Sequence, residues 1–88
     1  MKEKEDLKEI AKEEIEKMEK VFKNLKIIEN SEVIDLAKRY FEDAKYFFEK
    51  EDYIRAFEAI VISWSYVDAC LHFKKVEIPK ELQKYFTI

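Results

Sequence analysis

Two aspartates and one tryptophan are the side chains of this 88-residue chain whose type and setting could support chemistry. On a helix, Asp68 would lie beside Trp64 at the edge of an apolar face, and Asp43 would occupy a similar flank of the preceding segment. A carboxylate in apolar surroundings must be paired or have its pKa raised, and it could then act as a general base or a ligand contact. Asp43, Trp64 and Asp68 are therefore the candidate binding residues. Alternatively, a Tyr hydroxyl, a Lys or the nearby His72 satisfies Asp68, and its role is then structural.

The sequence does not favour other catalytic or metal-binding arrangements. Cys70 and His72 are two residues apart, so on a helix they point about 160° away from each other and cannot form a dyad. Two aspartates are fewer than the three or more ligands of a typical metal site, and the Glu-x-x-His pair of di-iron bundles is absent. The chain contains no glycine, which excludes a Gly-rich phosphate loop. We therefore expect no catalytic residue, no metal and no cofactor.

The charge pattern argues against nucleic acid and membrane as partners. The 17 basic and 20 acidic residues are interleaved and give a net charge of −3, so no basic stripe is available for a phosphate backbone. The N-terminal MKEKEDLKEI lacks an apolar signal region, and no apolar run approaches the ~18 residues of a membrane span. A single cysteine fits a reducing cytoplasm, and the enrichment in Lys and Glu is typical of a thermophilic source.

The elements that must position these residues are all helical by their spacing. Apolar residues recur every three or four positions, and the alternation of a half-buried strand is absent. The lack of glycine and the single proline also disfavour hairpin turns and strand bulges. We predict a single all-α domain, 1–88, folded as an up-down-up three-helix bundle with a short C-terminal helix. The predicted helices span about 4–28, 32–50, 53–73 and 79–86, with Asn30 or Ser31 capping the second.

The third predicted helix carries more apolar residues than one packing face requires. Its main core face includes Tyr53, Ile60, Trp64 and Val67. A second apolar strip points away from that face and consists of Ile62, Tyr66, Ala69 and Phe73. A helix that is apolar on most of its circumference must be covered on more than one side. The strip is therefore a candidate self-association surface, unless the short C-terminal helix covers it instead of the end of the bundle.

Residues 33–73 resemble a known family. The segment contains DLAKRYFEDAKYFFEKEDYIRAFEAIVISWSYVDAC, in which Tyr-x-x-Asp-Ala-x-x-Phe, a charged turn ending in Asp-Tyr, Arg-Ala-Phe-Glu-Ala and a second Asp-Ala follow in order. This is similar to the small archaeal family named domain of unknown function 357. The resemblance implies a three-helix bundle and an archaeal source, and it implies no activity. The usual family turn carries a Gly before the Asp, where this chain has Glu51, so this turn must form without an easy left-handed residue.

The best interpretation of the function is a non-enzymatic interaction or scaffold module, acting as a homodimer through the third helix or with a protein partner. Its mechanism would be the burial of apolar surface against that partner. The alternative is a small-molecule-binding protein or an enzyme, with a site between the second and third helices formed by Asp43, Trp64 and Asp68. A third interpretation is a subunit of a larger assembly, contacted through the long charged first helix.

Overall fold

The computed structural model of the chain describes residues 2–88, with side chains from residue 5 onward. Helices dominate and pack as a three-helix bundle with a short helical piece after them, so the predicted all-α fold is confirmed. In chain order the elements are helix α1 (Lys2–Asn24), strand β1 (Lys26–Ile27), helix α2 (Glu32–Glu49), helix α3 (Tyr53–His72), strand β2 (Val76–Glu77) and a C-terminal 3-10 helix (Lys80–Tyr85). None of the helices in residues 2–88 has the length and apolar content needed to cross a membrane.

The expected end of the first helix is wrong. The helix ends at Asn24 rather than at residue 28, and β1 follows, paired antiparallel with β2 through Lys26–Glu77 and Ile27–Val76. The backbone N–H groups of Ile28 and Glu29 both donate to the Lys75 carbonyl, at 2.8 and 3.1 Å. This two-stranded ribbon was not predicted, and it is a small addition to the all-α fold. Two-residue strands show no alternation, and the apolar spacing through Ile28 imitates a continuing helix.

The other boundaries lie close to those expected, and the caps explain why. The Ser31 hydroxyl accepts from the Val33 N–H at 3.1 Å, and the Asp52 carboxylate accepts from the Arg55 N–H at 3.2 Å. Each side chain thus satisfies a donor that has no partner within its helix. The last expected helix, at 79–86, is present as a 3-10 helix over Lys80–Tyr85. The short α2–α3 connection makes these helices an antiparallel hairpin.

Helices α2 and α3 both terminate in a Schellman motif built without glycine. After α2, the N–H groups of Glu51 and Asp52 donate to the carbonyls of Phe48 and Phe47, at 3.0 and 2.9 Å. After α3, Lys74 and Lys75 repeat this pattern, and Glu51 and Lys74 have φ angles of 62° and 58°. A residue with a Cβ is disfavoured in this left-handed region, so each turn carries some strain.

The hydrophobic core lies where the three long helices meet. Its buried members from the helices include Ile15, Met18 and Val21 of α1, Ile34, Ala37 and Phe41 of α2, and Ile60, Val67 and Leu71 of α3. Phe22 and Phe41 join α1 to α2 through rings 5.0 Å apart. The buried Ser63 hydroxyl donates to the Ala37 carbonyl at 2.7 Å, which ties α3 to α2 without leaving a polar group unpaired. Of the predicted core face, Tyr53, Ile60 and Val67 are buried and Trp64 is partly buried.

Candidate functional site

The C-terminal segment, residues 80–88 and here called the strap, covers one side of α3. Leu82 and Phe86 of the strap are buried, and the Phe86 ring stacks on Trp64 with centroids 5.7 Å apart and an interplanar angle of 5°. The Trp64 Nε1–H donates to the Tyr85 carbonyl at 2.8 Å. The indole therefore has both an apolar and a polar partner within its own chain, as a partly buried Trp requires.

Asp68 holds the end of the strap. Its Oδ1 accepts from the Thr87 N–H at 2.9 Å, and its Oδ2 accepts from the Thr87 hydroxyl at 2.7 Å. The Asp68 side chain is only 15% exposed, so these bonds replace most of its contact with water. Hydrogen bonds to an ionised acceptor are stronger than neutral ones. The carboxylate thus has a structural partner that sequence reasoning missed, because Thr87 lies 19 residues away along the chain.

His72 completes this cluster at its exposed edge. Its Nε2 lies 2.6 Å from the Thr87 hydroxyl oxygen and 3.8 Å from the Asp68 carboxylate. The hydroxyl has one proton, which it gives to Asp68, so the contact with His72 requires that Nε2–H donate to Thr87. The three side chains form a hydrogen-bonded chain that ties the strap to the last turn of α3.

The opposite side of α3 faces α2 in a shallow groove that the strap does not cover. We call this the outer groove, defined by Val33, Tyr40, Asp43 and Phe47 of α2 and Ile62, Tyr66, Ala69 and Phe73 at α3. The rings of Tyr40 and Tyr66 meet across its middle, with centroids 5.9 Å apart. Tyr40 directly precedes Phe41, which packs on α1, and successive helical side chains point about 100° apart. The groove therefore lies on a different side of α2 from the one that packs on α1.

A depression of about 240 Å³ forms one end of the outer groove, next to the α2–α3 turn. Its walls are mostly apolar, with three charged residues among them: Tyr40, Asp43, Phe47, Arg55, Glu58, Ala59 and Ile62. The Arg55 guanidinium lies 6.0 Å from the centre of the Phe47 ring and 3.7 Å from the Asp52 carboxylate. Arg55 thus has an acidic neighbour outside the depression, whereas Asp43 and Glu58 give the depression an acidic character.

A smaller depression, of about 130 Å³, forms the other end of the outer groove. Its lining is Ser31, Val33, Ala69, Cys70, Phe73 and Lys75. Phe73 is 74% exposed, which is unusual for a large apolar side chain next to a groove. Cys70 forms part of the floor at 2% exposure, and burial raises the pKa of its thiol while the charge of Lys75 opposes that rise.

The structure separates the three predicted binding residues. Trp64 and Asp68 are engaged by the strap, whereas Asp43 is exposed in the outer groove. The predicted strip is not separated, because Ile62 lines one depression, Ala69 and Phe73 line the other, and Tyr66 lies between them. The binding and self-association roles themselves stay predictions. Among the side chains of residues 5–88, no group of three or more His, Cys, Asp or Glu is arranged to hold a metal ion.

A larger depression lies at the β-ribbon end of the bundle, away from the predicted site. It measures about 670 Å³ and opens to solvent. Its lining is Ile28, Leu71, Lys74, Val76, Glu77, Ile78, Gln83 and Ile88. Among the described residues, no buried side-chain nitrogen or oxygen lacks a hydrogen-bond partner, so no orphaned polar atom points to a ligand here.

A family model described as a protein of unknown function (DUF357) matches residues 5–76. The chain belongs to this family. The crystal structure of protein AF1782 from Archaeoglobus fulgidus, of the same family, is similar to this DUF357 chain with a TM-score of 0.77 and 26% sequence identity. The similarity covers 86% of this chain and 97% of the other. A comparison with curated proteins finds no match.

The family match confirms the resemblance given by the sequence, and the structure of this chain has the three-helix fold that the resemblance implied. The matched range contains every residue of the outer groove and ends before the strap. No activity accompanies the family description. The surfaces of this DUF357 chain are therefore the evidence for its function.

Proposed function

We propose that this DUF357 chain is a non-enzymatic interaction module of the cytoplasm that binds a protein surface in the outer groove. The observation that carries this proposal is the unequal covering of α3. The strap shields Trp64 and Asp68, whereas Ile62 and Phe73 are 38% and 74% exposed on the other side. Exposed apolar residues that form a continuous strip typically mark an interaction site.

Burial of apolar surface supplies the free energy of binding. Full burial of a Phe or Ile side chain is worth about 1.5–3 kcal/mol, so Phe73 and Ile62 would act as the anchors of the interface. Tyr40 and Tyr66, already in contact, add a rigid aromatic centre between them. Part of this gain is lost to the restricted motion of the two bound molecules.

The placement of the reactive groups supports a non-enzymatic role. Both oxygens of the Asp68 carboxylate are engaged in hydrogen bonds from Thr87 of the strap. The Cys70 thiol is buried and its pKa is raised, so little of the nucleophilic thiolate forms near neutral pH. Asp43 remains accessible, but Trp64 and Asp68 do not share its depression.

Site-specific photo-cross-linking in cells of the source organism tests the proposal. A benzophenone amino acid replaces Ile62 in one variant and Ile54, which is 65% exposed and outside the groove, in a matched control. We expect the probe at position 62 to give one protein adduct of defined mass, and Phe73→Glu in the same chain to abolish it. The captured protein is then purified, and its binding to the wild-type chain is measured.

Two results would contradict the interaction function. One is the absence of any protein adduct at position 62, and the other is an equal adduct pattern at positions 62 and 54. Melting temperatures of both probe variants within about 3 °C of the wild type would show that the fold is intact, because surface changes usually alter stability by less than ~0.5 kcal/mol.

The rival function is the binding or conversion of a small molecule in the depression next to the α2–α3 turn. Its support is the presence of Asp43, Glu58 and Arg55 around a mostly apolar hollow. A ligand that binds the native state raises the melting temperature. A thermal shift with a metabolite or metal panel that disappears in Asp43→Asn would favour this rival, whereas the absence of any shift would count against it.

A further inference from the structure

We propose that the occupant of the outer groove is a second copy of this chain, packed antiparallel about a two-fold axis between Tyr66 and Ala69. The inference rests on the interaction function proposed above and names the partner. A two-fold dimer uses the same patch on both copies, so the patch must be complementary to itself. The outer groove meets this requirement in shape, in charge and, at the lower limit, in size.

The two ends of the groove have complementary shapes, so one end of each copy fits the other end of the second copy. Phe73 projects at one end, and the depression of about 240 Å³ lies at the other, beside Ile62. Eleven residues separate these positions, which is about 16 Å along a helix. An axis midway between them places Phe73 of each copy over the depression of the other. Both exposed aromatic rings are then covered, and both hollows are filled.

The charges at the two ends have opposite signs. Asp43 and Glu58 make the depression next to the α2–α3 turn acidic, because Arg55 already has Asp52 as its neighbour. Lys75 lines the smaller depression and is paired with Glu29 at 2.9 Å. The exposed Lys74, which directly follows Phe73, therefore supplies the uncompensated positive charge at that end. An antiparallel arrangement brings the acidic end of each copy to the basic end of the other. A parallel arrangement would place the aspartates and glutamates against their own counterparts, which is repulsive.

The area of the groove is typical of a weak, reversible interface. Helix α2 has 18 residues and is therefore about 27 Å long, and two adjacent helices span about 20 Å. This footprint, on the order of 500 Å² per copy, lies at the low end of stable protein–protein interfaces. We expect a reversible dimer with a dissociation constant in the micromolar range.

Sedimentation velocity over a concentration series is the first test. The wild-type chain should shift from its 10.7 kDa monomer to twice that mass as the concentration rises. Phe73→Glu and Ile62→Glu should each weaken the dimer at least 100-fold, because every copy contributes both residues to the interface. Ile54→Glu, which adds the same charge on α3 outside the groove, should leave the dimer unchanged.

Disulfide trapping is the second test and fixes the direction of packing. Ile62→Cys and Phe73→Cys are made separately in a Cys70→Ala background, and the purified chains are mixed under mild oxidation. Since a disulfide needs Cα atoms about 4.4–6.8 Å apart, the antiparallel dimer should yield the mixed 62–73 product. Each variant alone should form little disulfide, because its two copies of the same position are about 16 Å apart in this arrangement.

The outcomes distinguish this inference from the function on which it rests. A monomer at every concentration overturns the second copy as occupant. An efficient 62–62 disulfide overturns the proposed packing, because it requires either a parallel arrangement or a two-fold axis at position 62 instead of between Tyr66 and Ala69. If the photo-cross-linking at position 62 then captures a different protein, the interaction function still stands. A photo-cross-linked adduct at position 62 with twice the mass of the chain, together with the mixed 62–73 disulfide, supports the interaction function and the second copy as its partner.

Discussion

Helix α3 has two apolar sides, of which the strap covers one and leaves the other exposed. On one side, Trp64 and Asp68 are covered by the strap through ring stacking and three hydrogen bonds from or to Tyr85 and Thr87. On the other side, Ile62 and Phe73 remain exposed along the outer groove. The sequence did not show which side the chain would cover, since apolar residues at helical spacing occur on both.

The difference shows that residues which look like a binding site in the sequence can be occupied by contacts within the folded chain. Asp68 and Trp64 had the chemistry of a binding site, yet their polar atoms find partners within the same molecule. Asp43 is a similar carboxylate on α2, but it lies in a groove that no segment in the described part of the chain covers. Covered residues contribute to stability, whereas uncovered apolar residues are available for a partner.

Trp64→Ala should have the largest effect on stability, because it removes contacts that hold the strap on α3. The substitution removes the stack on Phe86 and the hydrogen bond to Tyr85, and we expect it to lower the free energy of unfolding by about 3 kcal/mol. Ile62→Ala in the outer groove should cost about 1 kcal/mol or less in the monomer, because its side chain is already partly in water. Urea denaturation measures both. Equal losses would mean that the two sides do not differ in stability.

Asp68→Asn should have the second largest effect. An amide cannot accept both donors of Thr87 as an ionised carboxylate does, so we expect a loss of about 2 kcal/mol. The matched substitution Asp43→Asn in the outer groove should change stability by less than about 0.5 kcal/mol. A double-mutant cycle with Thr87→Val should show coupling with Asp68. Additive effects in that cycle would contradict the direct bond.

Glu51→Gly should stabilise the hairpin that both sides share. Its φ of 62° lies in the left-handed region, where glycine has no Cβ to clash, so we expect a gain of about 1 kcal/mol. Glu49→Gly, at the last residue of α2, provides the control and should be destabilising by roughly 0.5–1 kcal/mol. Thermal unfolding distinguishes the two. If Glu51→Gly lowers the melting temperature, the residue contributes something other than its backbone geometry.

The smallest expected effect is the contribution of Cys70 to the loss of protein stability at alkaline pH. Because burial raises the pKa of its thiol, both states keep the proton at neutral pH, and no pH dependence arises there from this group. Above about pH 8.5 the unfolded chain loses the proton first, so the free energy of unfolding falls as the pH rises. Between pH 8 and pH 10 the wild type should therefore lose more stability than Cys70→Ala, as measured by urea denaturation. The same loss in both proteins would show that Lys75 cancels the effect of burial.

Local chemistry explains which parts of the fold could be predicted. Ser31, one of the two caps predicted for α2, and Asp52 cap the helices of the hairpin, and each cap depends only on residues two or three places away. The geometry of the α2–α3 turn was left open by the sequence, and the structure shows Glu51 in the left-handed conformation. The strip of Ile62, Tyr66, Ala69 and Phe73 was likewise readable from helical spacing alone.

The features that could not be predicted all depend on contacts between distant residues. Residues 25–28 continue the apolar spacing of α1, but the backbone at Ile28 pairs with Lys75 instead. Thr87 gave no signal as the partner of Asp68, since 19 residues separate them. The division of Asp43 from Asp68 and Trp64 also had no sequence signal, because it depends on where the strap docks.

The sequence by itself determined three amphipathic helices, their caps and an excess of apolar residues on the third, because helical period and capping are local properties. Only the tertiary structure decided which side of α3 the chain would cover. The strap docks on one of the two apolar sides of α3. Its docking there depends on the stack of Phe86 on Trp64 and on the hydrogen bonds from Thr87 to Asp68. Those contacts exist only when the bundle has brought residues far apart in the chain together.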